Sequence, residues 1–425
     1  MKVLLVGGGG REDALAWKIA QSPCVDTLYA APGNPGIARY ARCVQIGADA
    51  VQDLLHFAER ERVDLTVVGP EAPLVAGLVD RFATEALTVF GPAGRAARLE
   101  GSKAYAKRLM AAHGIPTARF ETFEDPAQAR RFCRELGAPL VVKADGLAGG
   151  KGALVCATLD DANRAVAACM EQRVFGGAGA TVVVEEFLRG EEVSFHVITN
   201  GRDVVPLASA QDHKTIFDGD RGPNTGGMGS YSPFAPMDSA LEGQIITGIV
   251  QPILAALAEE GAVYRGALYV GLMLTAEGPR VVEFNCRLGD PECQAILVRA
   301  EGDLLPLLLA AARGEPLPTD IKWAGNAAAC VTLVSAGYPG PCATGLPITG
   351  VDTAACRPGV QIFHAGSAER DGRLVTAGGR VLNVTAVATG LEEALSRAYA
   401  AVGDIRFDGM HYRTDIGRRS GQGAR

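Results

Sequence analysis

The sequence has no CxxC pair, no apolar run of membrane-spanning length and no excess of basic residues. Its ten cysteines are scattered, and the nearest two, Cys286 and Cys293, have six residues between them. That spacing excludes a zinc knuckle or a dense disulfide framework and predicts reduced thiols in a cytoplasmic protein. The longest apolar stretch, Leu304 to Ala312, is interrupted by Pro306 and falls short of the ~18 residues a membrane span needs. The apolar start, Val3 to Val6, is too short for a signal peptide. A net charge of −7 argues against a general nucleic-acid binder, which needs a basic face, but leaves room for a local phosphate pocket. There is no repeat of solenoid period. No Ser/His/Asp or Cys/His set suggests an enzyme nucleophile, and a lone His213 is more often a packing residue.

What is present is a globular, loop-rich chain: 425 residues, 48% hydrophobic, with 53 glycines. At ~150 residues per domain this length corresponds to roughly three domains. Residues 1–100 alternate strand and helix signals, with strands at Val3–Val6, Thr27–Ala31, Cys43–Ile46, Asp64–Val68 and Thr88–Phe90. Strands separated by helices predict a doubly wound parallel sheet. Residues 101–118 read as a helical connector with Ser102 as N-cap. A small α+β unit follows over 119–188, with helices Pro126–Leu136 and Asp160–Glu171 and strands Leu140–Lys143 and Thr181–Glu186. Residues 189–325 form a larger unit with a long polar loop at 211–232, a helix near 240–260 and paired strands Ala267–Leu274 and Arg280–Phe284. Residues 326–425 are strand-rich with a late helix, Leu391–Val402, stopped by Gly403, and a basic tail from Arg418 that reads as frayed.

Five strings carry chemistry. Gly7-Gly8-Gly9-Gly10 joins a strand to a helix, where backbone N–H groups can hold a phosphate. A dinucleotide fingerprint would need a glycine at Glu12 or Asp13 and an acid ending the second strand, and has neither; a mononucleotide-like phosphate site and a structural turn both stay open. Lys143 through Gly152 is a strand–glycine-loop–strand with two lysines eight residues apart, Lys143 and Lys151. No Ser or Thr follows Lys151 and no long helix follows the loop, so it is not a Walker A loop; it suggests a lid over a polyphosphate, or an ordinary Gly-rich hairpin. Val182 to Glu192 runs a strand into an acidic bend that suits a nucleoside edge, although acidic strand ends are often solvated surface. On Val281 to Glu292, strand alternation places Glu283 and Asn285 on one face, two hard oxygen donors of the kind Mg²⁺ takes, with Arg287 close behind to clamp an anion. The loop Gln211-Asp212-His213-Lys214 to Asn224-Thr225-Gly226-Gly227-Met228-Gly229 is either surface or a binding loop.

Together with Gly9-Gly10-Arg11-Glu12, Gly69-Pro70-Glu71-Ala72-Pro73-Leu74 and Gly101-Ser102-Lys103, these strings resemble the phosphoribosylamine–glycine ligase (glycinamide ribonucleotide synthetase) family of the ATP-grasp superfamily, over essentially residues 1–416. The resemblance implies an α/β and α+β multidomain chain: an N-terminal nucleotide-fold domain, an ATP-grasp core that includes the connector, with a lid lobe and a central lobe, and a small strand-rich C-terminal domain. It implies an ATP-dependent carbon–nitrogen ligase of purine biosynthesis that joins glycine to 5-phosphoribosylamine through glycyl phosphate. Lys103, Lys143 and the lid residues Gly149, Gly150, Lys151 and Gly152 would contact ATP phosphates. Glu185, Glu186, Leu188 and Glu192 would serve adenine and ribose, and Glu283 and Asn285 would hold Mg²⁺ or Mn²⁺. The substrates would meet Gly9, Gly10, Glu71, Asp212, Lys214, Asn224, Gly226, Arg287 and Asp290, with Lys151 and Arg287 in catalytic roles. Its ligands would be small molecules, with no nucleic acid and no membrane, and the chain would be a monomer or weak dimer. Another ATP-grasp member would share the lid but not the 211–229 strings. Two departures stand out: Asp13 replaces the family's usual histidine, and Gly8 its frequent asparagine. Asp13 is expected to face the next helical turn, where the dipole favours an acid.

Overall fold

A computed structural model describes residues 1–319 and 321–418. Four main sheets organise it. The strand Lys2–Gly7 is apolar and buried from Val3 onward, as a strand paired in parallel on both sides with both faces covered requires. It lies at the centre of a five-stranded parallel sheet in the order Arg42–Cys43, Thr27–Pro32, Lys2–Gly7, Leu65–Val68, Val89–Phe90. The antiparallel central sheet has the order Val204–Pro206, Glu191–Thr199, Gly266–Thr275, Gly278–Asn285. These two sheets share one core, in which Leu4 and Val6 belong with Phe195, Val197, Leu268 and Val270.

The lid lobe is packed differently. Its sheet, in the order Phe120–Phe123, Val182–Glu186, Leu140–Ala144, Ala153–Cys156, closes on a core of its own that includes Phe132, Leu140, Val142 and Val184. Local signals set its helices. Asp125 caps Pro126–Leu136 by accepting from Ala127 N at 2.6 Å, and Thr158 and Asp161 form a capping box at Leu159–Val166. The expected helix 160–171 is regular to Val166 and then widens over Ala167–Glu171. Ser102 caps Lys103–Ala112 by accepting from Tyr105 N at 3.1 Å.

The segment 211–232 is not the long loop that its polarity suggests. It contributes Gln211–Asp212 and Gly229–Ser232 to a five-stranded antiparallel sheet completed by Ala327–Val334, Arg380–Ala388 and Val360–His364. Between them, Thr215–Phe217 and Arg221–Asn224 form a hairpin. The helix Leu391–Val402 covers this sheet, and Gly403 ends it in a right-handed conformation. Of the basic tail, residues 419–425 lie outside the described residues. All ten cysteines are free.

Among the described residues, the helix Ser239–Glu259, with a mean hydropathy of 1.4, has the length and composition to cross a membrane. Glu242 and Gln244 interrupt its apolar run. Its Ile245, Ile249, Ile253 and Leu257 pack into the shared core.

Asp13 does not face the next turn of its own helix. It is fully buried, accepts from His364 N at 2.7 Å and lies 3.6 Å from Arg39, so it bridges to the C-terminal sheet. Burial pushes its carboxyl up to about 7, against the pull of the His364 amide and Arg39. An unfolded Asp titrates near ~3.9, so between these values the folded chain keeps a proton that the unfolded chain releases. Stability therefore falls as pH rises through that window. Asp13→Asn, which cannot ionise, gains on the parent by about 2 kcal/mol between pH 5 and pH 8 in denaturant titrations. A pH-independent difference would show that Asp13 titrates normally.

Candidate active site

The lid hairpin and the strand Gly278–Asn285 meet at Lys143. Its side chain is buried, its Nζ donates to Val282 O at 2.9 Å, and it pairs with Glu185. Lys107, on the connector helix, pairs with the other Glu185 oxygen at 2.5 Å. Both carboxylate oxygens of Glu185 thus face lysines, and its backbone lies within the lid sheet. The carboxylate expected to serve the nucleoside is thus the middle of a buried lysine–glutamate–lysine set. Burial raises the Glu185 carboxyl, but Lys143 and Lys107 outweigh it and hold it below the usual range. Burial lowers the Lys107 ammonium to about 8, with Glu185 opposing the shift.

Lys103 donates to Gly146 O at 3.2 Å, while Asp145 accepts from Ser102 Oγ at 3.0 Å and Ala104 N at 2.6 Å. The foot of the lid is therefore pinned to the connector helix. Glu186 is engaged as well, accepting from Arg119 N at 2.9 Å and Arg280 at 3.2 Å. Leu188 is half-buried at the bend, and Glu192 pairs with Lys214 across the central sheet edge. Glu283 is raised by burial but held below its ordinary range by the surrounding charges of Lys214, Lys143, Lys103 and Arg287. Asn285 follows on the same strand, nearly buried.

A second charged set lies beside the first. Arg287 reaches Glu71 at 3.2 Å and Glu100 at 3.1 Å, and Glu100 also accepts from Cys286 N at 2.7 Å. Burial raises Glu71, yet Arg287 and Arg11 bring it down to about 2. Arg11 bonds Glu12 at 2.6 Å and Leu288 O at 3.2 Å, which ties the loop of Gly9 and Gly10 to the same strand end. Asp212 is buried; burial and the Glu292 carboxylate raise its pKa well above the ordinary value. Glu292 accepts from Ser194 Oγ at 2.8 Å. Gly227 has φ of +117°, and a Cβ there would lie 2.4 Å from Pro291 Cδ, so only glycine lets this loop seat against the 290–292 turn.

Asn224 donates to Ala153 O at 3.2 Å, and a Cβ on Gly150 would meet Gly226 Cα at 3.3 Å, so the lid lies against the 224–226 loop. Gly149 and Gly152 shape the same exposed turn and its return. Lys151 stands apart from the other lysines: its Nζ donates to Pro339 O at 2.5 Å and lies 5.8 Å from the Tyr338 ring. Sequence reading missed Lys107, Glu100, Tyr338 and Arg380. None sits in a local motif, because each is a single polar residue whose partners come from distant segments.

A glycine-lid lobe whose Lys143 reaches the strand that carries a lysine-surrounded Glu283 is the arrangement of an ATP-grasp enzyme. Family models agree along the chain: phosphoribosylglycinamide synthetase N domain over 1–100, its ATP-grasp (A) domain over 101–293 and its C domain over 328–419. Phosphoribosylamine–glycine ligase of Rhizobium meliloti is 50% identical over 420 residues, 99% of each chain. The crystal structure of phosphoribosylamine–glycine ligase from Thermotoga maritima superposes with a TM-score of 0.85 at 35% identity, covering 98% of this chain and 100% of that one. A biotin carboxylase domain from Hydrogenobacter thermophilus, at 17% identity and TM-score 0.74 over 96% of this chain and 91% of its own, shares the fold alone. The chain belongs to the phosphoribosylglycinamide synthetase family, and it is an ATP-grasp ligase.

Removing the Glu185 carboxylate leaves Lys107 and Lys143 buried without a counter-charge. Glu185→Ala therefore loses ~3–5 kcal/mol of stability in denaturant unfolding without nucleotide. A variant as stable as the parent, with only a raised KM for ATP, would return Glu185 to a nucleotide-contact role.

Proposed function

We propose that the chain joins glycine to 5-phosphoribosylamine at the expense of ATP, giving glycinamide ribonucleotide, ADP and phosphate, as a step of cytoplasmic purine biosynthesis. The observation that carries this reading is the convergence of Lys103, Lys143, Lys214 and Arg287 on Glu283, beside loops that carry Asp212, Gly226 and Asp290. A carboxylate oxygen of glycine attacks the γ-phosphorus of ATP, and the bond to the ADP oxygen breaks. The amine nitrogen of phosphoribosylamine then attacks the acyl carbon of glycyl phosphate; phosphate leaves with the acyl C–O electron pair, and the nitrogen gives up a proton. Neither step needs an enzyme nucleophile, so the protein acts by positioning and by charge.

Lys103 and Lys143 bring positive charge to the phosphates from below, and Lys151 leaves Pro339 to bring it from the lid. Arg287, held between Glu71 and Glu100, presents its remaining donors to a carboxylate or acyl phosphate. Glu71, Asp212 and Lys214 line the amine side with Gly9 and Gly10, while Leu188 and Glu192 lie along the nucleoside. Lid closure keeps water from glycyl phosphate.

Glu283 and Asn285 offer two hard oxygens, and no group of three or more His, Cys, Asp or Glu side chains among the described residues forms a metal cage. This donor set fits Mg²⁺, with Mn²⁺ as a substitute, because Mg²⁺ takes few protein ligands and completes its shell with water and phosphate. Bound there, the ion neutralises phosphate charge. The chain acts on small molecules, as a monomer or weak dimer.

With ATP, Mg²⁺ and freshly made phosphoribosylamine, phosphate release requires glycine specifically. Release that bicarbonate or formate supports equally, or none with all three substrates, overturns the assignment. Lys151→Ala and Glu283→Ala each lower turnover ~100-fold or more by losing transition-state charge stabilisation. Near-normal turnover at saturating ATP and Mg²⁺ would remove either residue from its role.

A further inference from the structure

The C-terminal domain reaches the site through Arg380 and Tyr338. Arg380 begins the strand Arg380–Ala388, and its guanidinium is mostly covered. Nη1 donates to Gly226 O at 2.6 Å and to Asp290 O at 2.5 Å, while Nη2 donates to the Asp290 carboxylate at 3.0 Å. The two loops it joins are more than sixty residues apart in sequence (226 and 290) and come from different sheets. The other end of the Gly226 unit is held from the same domain, since Gly226 N donates to Tyr338 Oη at 2.9 Å. Asp290 has its second oxygen taken by Gln294 Nε2 at 2.7 Å. A Cβ on Gly9 would lie 3.7 Å from Asp290 Oδ2, so the N-terminal glycine loop faces the held carboxylate.

We infer that Arg380 is a positioning residue for the acceptor half of the reaction, fixing the Gly226 carbonyl and the Asp290 carboxylate together beside the place that receives glycine and phosphoribosylamine. This rests on the function proposed above. Gly226 and Gly227 form a pair of glycines with wide backbone freedom, and a loop built on them keeps one shape only if its peptide groups are tied down. A planar guanidinium ties two acceptors at once, which a lysine ammonium on a flexible stem does less well. Burial works against the Asp290 carboxylate, and Arg380 and Arg11 keep it ionised. Among the described residues the hydrogen bonds of Arg380 go to Gly226 and Asp290 and to no lysine, so its direct influence falls on the acceptor side.

The test compares the parent with Arg380→Lys and Arg380→Met, reading kcat, the KM of each of the three substrates and the thermal midpoint. Arg380→Met raises the KM of glycine, of phosphoribosylamine or of both by about tenfold or more, with the KM of ATP within about twofold of the parent. Arg380→Lys falls between the two, and it carries the same test if Arg380→Met does not fold. Equal rises in all three KM values, or unchanged acceptor KM values with kcat falling in step with the thermal midpoint, would make Arg380 a mere seam residue and overturn the inference. The parent, assayed alongside, separates this from the function itself: no glycine-dependent phosphate release in the parent sinks the function, whereas normal release with unaltered acceptor KM values in the variants sinks only Arg380.

Discussion

Concentrated positive charge in a covered cleft is the constraint on which the rest of this structure depends. The charges of Lys214, Lys143, Lys103 and Arg287 all bear on Glu283. Cations gathered out of water repel one another and lose hydration, so each needs a nearby anion in the resting chain. Glu185 serves Lys143 and Lys107, Glu192 serves Lys214, and Glu71 and Glu100 share Arg287. The acids around the cleft are thus first of all the counter-charges of its bases, and several residues that look like nucleotide contacts in one dimension have this second role in three.

The same constraint explains how the domains are joined. The N-terminal and central sheets share a core and form the fixed floor, while the lid lobe has its own core and meets the floor largely through polar contacts such as Lys143 to Val282 and Glu186 to Arg280. The parked position of Lys151 on Pro339 gives the lid a resting place on the C-terminal domain, away from the other lysines.

Where short-range physics decides, the fold was legible. The buried apolar run of Lys2–Gly7, the Asp125–Pro126 start of the lid helix and the Ser102 cap each announce their element within a few residues. The fold class and the family strings followed from such segments, and the lid and the strand Gly278–Asn285 do converge. The segment 211–232 misled because its strands are two to four residues long and polar, and Gly229–Ser232 finds its partner only at Ala327–Val334. Asp13 and His364 stand 351 residues apart, so no local rule could turn that carboxylate toward the C-terminal sheet. Arg380 and Glu100 were illegible for the same reason: a single charged residue carries no signal until its distant partners are placed.

The placement of Gly229–Ser232 between an early strand and a late one has a consequence for assembly on the ribosome. The loop it anchors emerges well before Ala327–Val334 and Arg380–Ala388, the strands that complete its sheet. Once Gly278–Asn285 has emerged, the N-terminal sheet, the lid lobe and the central sheet have all their strands, but Ala327–Val334 has not yet been translated. The nascent chain therefore has every strand of the lid lobe and the central sheet ahead of the sheet that seats Gly229–Ser232, which closes only as the last quarter of the polypeptide folds back over the middle.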